Sequence, residues 1–260
     1  MGEVSTPGLD RLVDLALRPW GRPLVGVERD ATPERLVELH PSFPIPGPNH
    51  VCLVRCAPER VDALVDEVRA LFAARGLPHL WILDEGAEPA DLDVRLAARG
   101  VVAFDTTDVM VLPAGVPVDP ADPAIEIVDA LSDEALFWDA EAVQAAAFAS
   151  GDPPPGQGAR YEEARADPAR HLFLARLDGV PAGAGWATVR TEGVLLNGGA
   201  VDPALQGRGV YRALVAARLR LAREVGAPGL AVQARPETSS PILAAFGFRK
   251  VGEWRLRIDR

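Results

Sequence analysis

The sequence is sparing with several residue types that mark common functions. Among 260 residues Lys250 is the only lysine, and there are two cysteines, two tyrosines and 6% aromatics. Basic residues are outnumbered, 27 Lys+Arg against 37 Asp+Glu, so the net charge is −10 and the basic footprint that binds nucleic-acid phosphates is missing. No apolar run approaches the ~20 residues that cross a bilayer. Cys52 and Cys56 lie four apart with no second ligand pair, and His40, His50, His79 and His171 form no cluster along the chain. No zinc site is therefore expected, and both cysteines read as reduced core thiols. The opening "MGEVSTPGLDRLVDLALRPW" carries acids and an early proline but no basic region, unlike a secretory leader. Gly2 with Thr6 is a weak match to a myristoylation signal. Together these absences predict a soluble cytoplasmic protein with no metal, no membrane and no nucleic-acid partner. Oligomeric state leaves no signal.

What the chain does have is enough apolar sequence, 48%, to build a substantial core. Pro113, Pro117, Pro120 and Pro123 forbid helix and interrupt strand pairing, which places a linker near 113–123 and divides the chain into 1–115 and 122–260. "HPSFPIPGPNH" and "SGDPPPGQGA" read as long loops within the halves. After the linker, periodicity predicts strand 124–129, helix 132–147, a short helix 158–167 and strands 171–177, 181–190 and 193–201. Helix 208–225, strand 228–234, helix 239–246 and strand 248–258 follow. This is an α/β unit in which antiparallel hairpins feed a crossover helix.

The first half echoes the second. With a constant offset, Ala63, Leu64 and Val65 fall on Ala213, Leu214 and Val215, Leu71 on Leu221, Gly76 on Gly226, Pro78 on Pro228 and Leu80 on Leu230. "LAARGV" (96–101) parallels "LAAFGF" (243–248). The shared glycines and prolines argue for duplication more strongly than the aliphatic matches do.

The halves differ where the helix opens. "VDPALQGRGVYRAL" (201–214) follows the apolar strand "GVLLNGGAV" and precedes a helix with Val210, Leu214, Ala217, Leu221 and Val225 on one stripe. Arg212, Arg218, Arg220 and Arg223 are expected on its remaining surface. Strand, glycine turn and helix in that order present backbone N–H groups at a helix N-terminus, an anion site most often used for phosphate. Gly207 and Gly209 equally suit a tight strand–helix connection with no ligand. The matching stretch of the first half, "CAPERV" (56–61), has no glycine, and Pro58 lacks the N–H that a phosphate needs.

The C-terminal half resembles the GNAT superfamily of acyl-CoA-dependent N-acyltransferases, over roughly residues 122–258. The family fingerprint Q/R-x-x-G-x-G/A lies between a central strand and a helix. Gln206, Gly207, Arg208, Gly209 and Val210 fit it, and "PILAAFGF" is similar to the closing helix-to-strand segment. The whole chain is similar to tandem members with one active and one degenerate copy.

The resemblance implies two GNAT-like α/β domains, each a mostly antiparallel sheet flanked by helices. It implies that Gln206–Tyr211 hold the pyrophosphate of acetyl-CoA, that Ala200 and Val201 pair with the pantetheine arm, and that Ser239 contacts it. Ser239 is equally suited to cap the last helix. The acceptor implied is a primary amine on a small molecule or peptide, attacked directly in a ternary complex. The alternative is a non-catalytic CoA-binding or sensing module with the first half as an interaction surface.

Three positions depart from the family pattern. Tyr211 stands where a final Gly/Ala is usual. Leu243 occupies the position of a tyrosine acid, and the strand carboxylate that serves as base falls near Leu195. Glu192, Asp202, Glu237 and Tyr211 are the remaining candidates, each with a turn or core role as its plainer explanation. Nucleotide binding is disfavoured, because the turn lacks both G-K-[ST] and G-x-G-x-x-G.

Overall fold

The computed structural model describes residues 7–117, 122–148 and 157–259. In chain order its elements are α1 (Pro7–Leu17), β1 (Glu28–Thr32), β2 (Arg35–Leu39), β3 (His50–Cys52), α2 (Val61–Ala73), β4 (Leu80–Leu83), α3 (Leu92–Ala98) and β5 (Val101–Pro113). Then come β6 (Ile125–Asp129), α4 (Glu134–Phe148), α5 (Gln157–Ala166), β7 (Arg170–Leu177), β8 (Val180–Arg190) and β9 (Gly193–Val201). The chain closes with α6 (Val210–Glu224), β10 (Gly229–Ala234), α7 (Ser239–Ala245) and β11 (Arg249–Asp259). Strand and helix limits in the second half match the periodicity to within about two residues, the usual scatter of such ends. Of the proline-rich loop 149–156, none lies within the described residues.

Two compact units interleave along the chain. The larger holds residues up to Gly21 together with Val109–Val251; the smaller holds Arg22–Asp108 together with Gly252 onward. Each half of the sequence thus delivers part of its last strand, β5 or β11, to the other unit.

In the larger unit β6, β7, β8 and β9 form an antiparallel meander. Asp178 (φ 52°) and Gly179 (φ 82°) make the β7–β8 turn, both in the left-handed region that tight hairpins favour. Alternation along β7 and β8 separates two faces. Leu172, Leu174 and Ala184 meet Phe137, Ala140 and Val143 of α4. Ala175, Leu177 and Ala182 meet Val210, Ala213 and Leu214 of α6. Gly183 lets α6 sit close: a Cβ there would stand 2.6 Å from a Val210 methyl.

The N-terminal helix belongs to this unit because of what it buries. Leu12, Leu15 and Ala16 are buried, and Leu12 methyls lie 2.5 and 2.8 Å from where Cβ atoms on Gly193 and Gly229 would be. Burying one such leucine is worth about 1.5–3 kcal/mol.

The smaller unit orders its strands β1–β2–β3–β4–β11, with β3 and β4 parallel and the other pairs antiparallel. Val61, Leu64, Val65, Val68 and Phe72 of α2 pack with Trp81 and Leu83 of β4 in its core. The sequence echo has a geometric counterpart. After α2 and after α6 the chain turns through Gly76 (φ 63°) and Gly226 (φ 68°), left-handed helix ends that leave glycine the least strained choice. Gly100 (φ 81°) and Gly247 (φ 95°) likewise link α3 to β5 and α7 to β11.

His79 gives the smaller unit a pH dependence. The ring is stacked on Phe72 at 4.1 Å, is 6% exposed, and has Nε2 3.6 Å from the Asp259 carboxylate. Burial drops its pKa from 6.5 to about 4 despite the attraction of Asp259. The folded pKa is depressed, so this contribution is complete above pH 6.5 and lost as pH falls toward 4, where only the unfolded chain has been binding the proton. The difference is worth about 3 kcal/mol. Buried His50 shifts in the same direction. Urea denaturation should therefore show falling stability between pH 6.5 and 4, and His79→Gln should flatten the slope. An unchanged slope in that variant would remove His79 from the account.

Candidate functional site

β9 and β10 of the larger unit pair in parallel, and the pairing is short. Val194, Leu195 and Leu196 face Leu230, Ala231 and Val232. Beyond Leu196 the register ends, while β9 continues to Val201 with only β8 on its other side. The register with β8 also shifts between Ala184 and Trp186, leaving Gly185 opposite a bulge at Gly198 and Gly199. Gly198 has φ 54°, the left-handed conformation that a bulge of this kind assigns to glycine. Gln144 of α4 donates its side-chain amide to the Gly198 carbonyl. From Asn197 to Val201, then, β9 carries a backbone edge open toward β10, at the carboxyl ends of a parallel pair, where α/β sheets bind ligands.

The glycine turn lies at the same end. Asp202 caps a short 3₁₀ turn, Pro203–Leu205, by accepting from the Ala204 N–H at 2.8 Å. Gln206, Gly207, Arg208 and Gly209 are exposed. Gly207 (φ 76°) and Gly209 (φ 81°) are both left-handed, and Gly209 is the N-cap of α6, which no side chain caps. A Cβ on Gly207 would meet nothing within 4 Å, so here glycine serves backbone conformation and access rather than packing. Fifteen residues of helix then aim their dipole at an open, uncapped N-terminus.

The other expected residues fall into place unevenly. Ala200 is buried and pairs with Ala184, and Val201 ends the strand. Val210 is buried under the turn. The Ser239 hydroxyl accepts from the Arg235 N–H at 2.9 Å, while Thr238 holds the cap position of α7 without a side-chain bond. Asp202 has a turn role, and Glu237 is exposed beyond β10 at the ligand end. Glu192 sits in the β8–β9 turn, at the opposite end of β9 from the glycine turn, and so leaves the candidate set. Leu243 is fully buried in the core and Leu195 nearly so, and neither position offers an acid or a base.

Two expectations for α6 are corrected. Val225, placed on the apolar stripe, is 47% exposed because the helix has ended at Glu224. Arg218, placed on the polar surface, is 1% exposed. Glycines make room for it: Cβ atoms on Gly185 and Gly199 would stand 2.9 and 3.4 Å from its guanidinium. The alternation of small residues in "PAGAGW" (181–186), with Gly183 and Gly185 on one face of β8, is the sign in the sequence that this face is cleared for something bulky.

The opposite face of the bulge carries a compensated polar cluster. Glu141 of α4 is buried and paired with buried Arg160 of α5. Burial pushes the Glu141 carboxyl upward, and Arg160 pulls it down. Arg170 lies over the Trp186 ring at 4.2 Å, and Trp186 in turn meets Phe137. No periodicity in the sequence signals this cluster, because a buried ion pair looks like two surface charges.

In the smaller unit the corresponding strands also part, but the gap is closed. The β3–β4 pairing stops at Val51 and Trp81, and Leu53 turns left-handed (φ 52°). Glu88 then donates its N–H to Val54 at 3.0 Å and accepts from Cys56 at 3.4 Å. Arg55 bonds Asp84 at 2.8 Å and lies against Gly86. Pro58 opens the 3₁₀ turn before α2, and Arg60 is held there by Glu34 and Glu67. Both cysteines are buried, with burial pushing each thiol up. Among the described residues no group of acidic, histidine or cysteine side chains forms a metal site, and no helix is long and apolar enough to cross a membrane.

Residues 135–248 match the model of the Acetyltransferase (GNAT) family. Solved structures agree in fold. A GCN5-related N-acetyltransferase from Kribbella flavida has a TM-score of 0.67 at 16% identity, covering 98% of this chain and 96% of its own. One from Sphaerobacter thermophilus has 0.63 at 15% identity, covering 95% and 84%. A tandem GNAT protein from the clavulanic acid biosynthesis pathway has 0.56 at 14% identity, covering 95% and 87%. No curated protein sequence is significantly similar to the chain.

The Glu141–Arg160 pair makes a stability prediction. Glu141→Ala leaves a buried arginine without its partner and should cost about 3–5 kcal/mol. Replacing both by apolar residues, Glu141→Leu with Arg160→Met, should recover most of that loss. Denaturant midpoints of the single and double variants check this; a single-variant loss under about 1 kcal/mol would mean that the pair is relaxed by water.

Proposed function

We propose that this chain, a GNAT-family protein by its segment 135–248, transfers an acetyl group from acetyl-CoA to a primary amine of a small molecule or peptide, by direct attack in a ternary complex. The observation that carries the reading is the uncapped, glycine-opened N-terminus of α6 beside the parted ends of β9 and β10. The N–H groups of Gln206–Tyr211 suit a pyrophosphate: two left-handed glycines clear its approach, and the helix dipole favours its charge by up to ~2 kcal/mol. The free edge of β9 through Ala200 and Val201 suits the amide-bearing arm in strand fashion. Ser239 remains a contact for that arm only if its bond to Arg235 exchanges.

Residues 1–115 and 122–260 are assigned as a degenerate and an active GNAT-like copy. The closure of the β3–β4 gap by Glu88, and Pro58 at the helix start, support loss of the first site. Catalysis then rests on alignment. Holding amine and thioester together supplies a large part of the barrier reduction, and water suffices to take a proton from a neutral amine's attack. The lack of a carboxylate at Leu195 and of a hydroxyl at Leu243 favours the second reading, a CoA-binding module without turnover.

Calorimetry on the full chain should give one acetyl-CoA per chain. The full chain is needed, because residues 122–260 alone lack α1 and the end of β5, both part of the larger unit. Gly209→Asp places a side chain and a negative charge at a φ of 81° beside the phosphates, and should weaken binding by at least ~100-fold. Equal affinity in this variant would mean that the turn only connects strand to helix. Binding without acetylation across a panel of amines would select the second reading.

A further inference from the structure

Arg218 is the one residue of α6 whose placement runs against its chemistry. Its guanidinium is fully buried between the helix and the β8–β9 surface, where Gly185 and Gly199 face it. Nε donates to the Leu214 carbonyl at 3.0 Å, and one terminal nitrogen has no hydrogen-bond partner among the described residues. Burial disfavours its charge, and the Tyr211 hydroxyl is the side chain that favours it. Among the described residues no carboxylate from α6, β8 or β9 acts on it. A cation in that position costs several kcal/mol of desolvation, which the Leu214 carbonyl and the Tyr211 hydroxyl offset in part and no carboxylate of these elements offsets, whereas Arg160 on the other face has Glu141.

The location gives the cost a purpose. From Val201 back to Asn197 the open edge of β9 runs four residue steps, about 13 Å. The arm of acetyl-CoA between pyrophosphate and sulfur is about a dozen bonds, roughly 15 Å extended. With the pyrophosphate at the glycine turn, an arm of that length laid along the edge reaches the bulge at Gly198 and Gly199, where Gly199 faces the guanidinium. This step rests on the acetyl-CoA reading above. During transfer the amine nitrogen bonds to the carbonyl carbon, and the C–S electron pair leaves on sulfur. The nitrogen's proton goes to water, and the thiolate later takes one from water.

We propose that Arg218 is a positioning residue for this transfer: an uncompensated cation beneath the β9 bulge that, together with Tyr211, favours departure of the sulfur as thiolate. It does the work usually given to a proton donor, at a site where Leu243 cannot donate. A buried fixed charge is suited to this because it needs no reorganisation when the sulfur's charge develops.

The test uses CoA itself and needs no acceptor. The thiol of bound CoA is titrated by its thiolate absorbance, with the same protein loaded with desulfo-CoA subtracting tyrosines and cysteines. In R218M the midpoint should rise by at least about one pH unit, tenfold in thiolate fraction, with CoA affinity at neutral pH within about threefold. Its melting temperature should be equal or higher, because an unpaired buried charge has been replaced by an apolar chain of similar length. R218K should restore part of the shift. Coincident midpoints in the parent and R218M, both with CoA bound, overturn the inference and leave the acetyl-CoA reading standing. No CoA binding by the parent overturns both. A large fall in melting temperature shows that the guanidinium supports the fold; the decision then passes to Tyr211→Phe, whose midpoint must rise too, and an unmoved one overturns the inference.

Discussion

Everything about the candidate site depends on β9 and β10 separating after three paired residues. A parallel pair that continued to its ends would bury the backbone groups of Asn197–Val201 in a ladder and leave no edge to read a ligand. The separation is enforced by the bulge. Gly198 turns left-handed, its carbonyl is taken by Gln144 on one face, and the next residue is covered by Tyr211 and Arg218 on the other. The strand is thereby redirected while both faces stay packed, and the polar edge is left for something that arrives later. Bulges beside active sites commonly re-aim a strand in this way.

The smaller unit shows the same device put to a different end. Its parallel strands also part, after two paired residues, and a left-handed residue again marks the place. Here the residue is Leu53, a side chain that strains at φ 52°, and the freed backbone of Val54 and Cys56 finds a partner in Glu88. Once those hydrogen bonds are internal, opening the gap for a ligand would cost each of them, about 1 kcal/mol apiece, before any binding began. Arg55 bonded to Asp84 adds a side-chain closure. In this unit the parted edge is taken up by internal hydrogen bonds.

Much of this was legible in the sequence because glycine and proline report backbone geometry directly. Gly207 and Gly209 could be read as left-handed residues before a helix, Gly76 and Gly226 as matching helix ends, and Pro58 as a missing N–H. Strand and helix limits followed from apolar periodicity. What escaped was long-range partnering. Leu12 and Leu15 look like any amphipathic helix, and nothing local says that they pack against strands some 180 residues later. Arg218 was read as surface because arginine usually is, and its position on α6 fits either face. Only the glycines at 185 and 199, which lie on other strands, reveal the space it fills, and their proximity is a property of the fold.

The two faces of the bulge are electrically unlike, and that contrast narrows what the site can do. On the α4 side the arginines are matched: Arg160 by Glu141, Arg170 by the Trp186 ring and the nearby Asp167. On the α6 side, among the described residues, one guanidinium stands without a carboxylate. A charge that drifted into place by chance in a well-packed core would be expected to acquire a partner or be replaced by an apolar residue, since either change stabilises the protein. Arg218 lies beneath the stretch of β9 whose edge toward β10 is unpaired, which places the cost beside that open edge. The same residue therefore places an electrostatic cost beside the point where, on the proposed reading, a leaving group would put its negative charge.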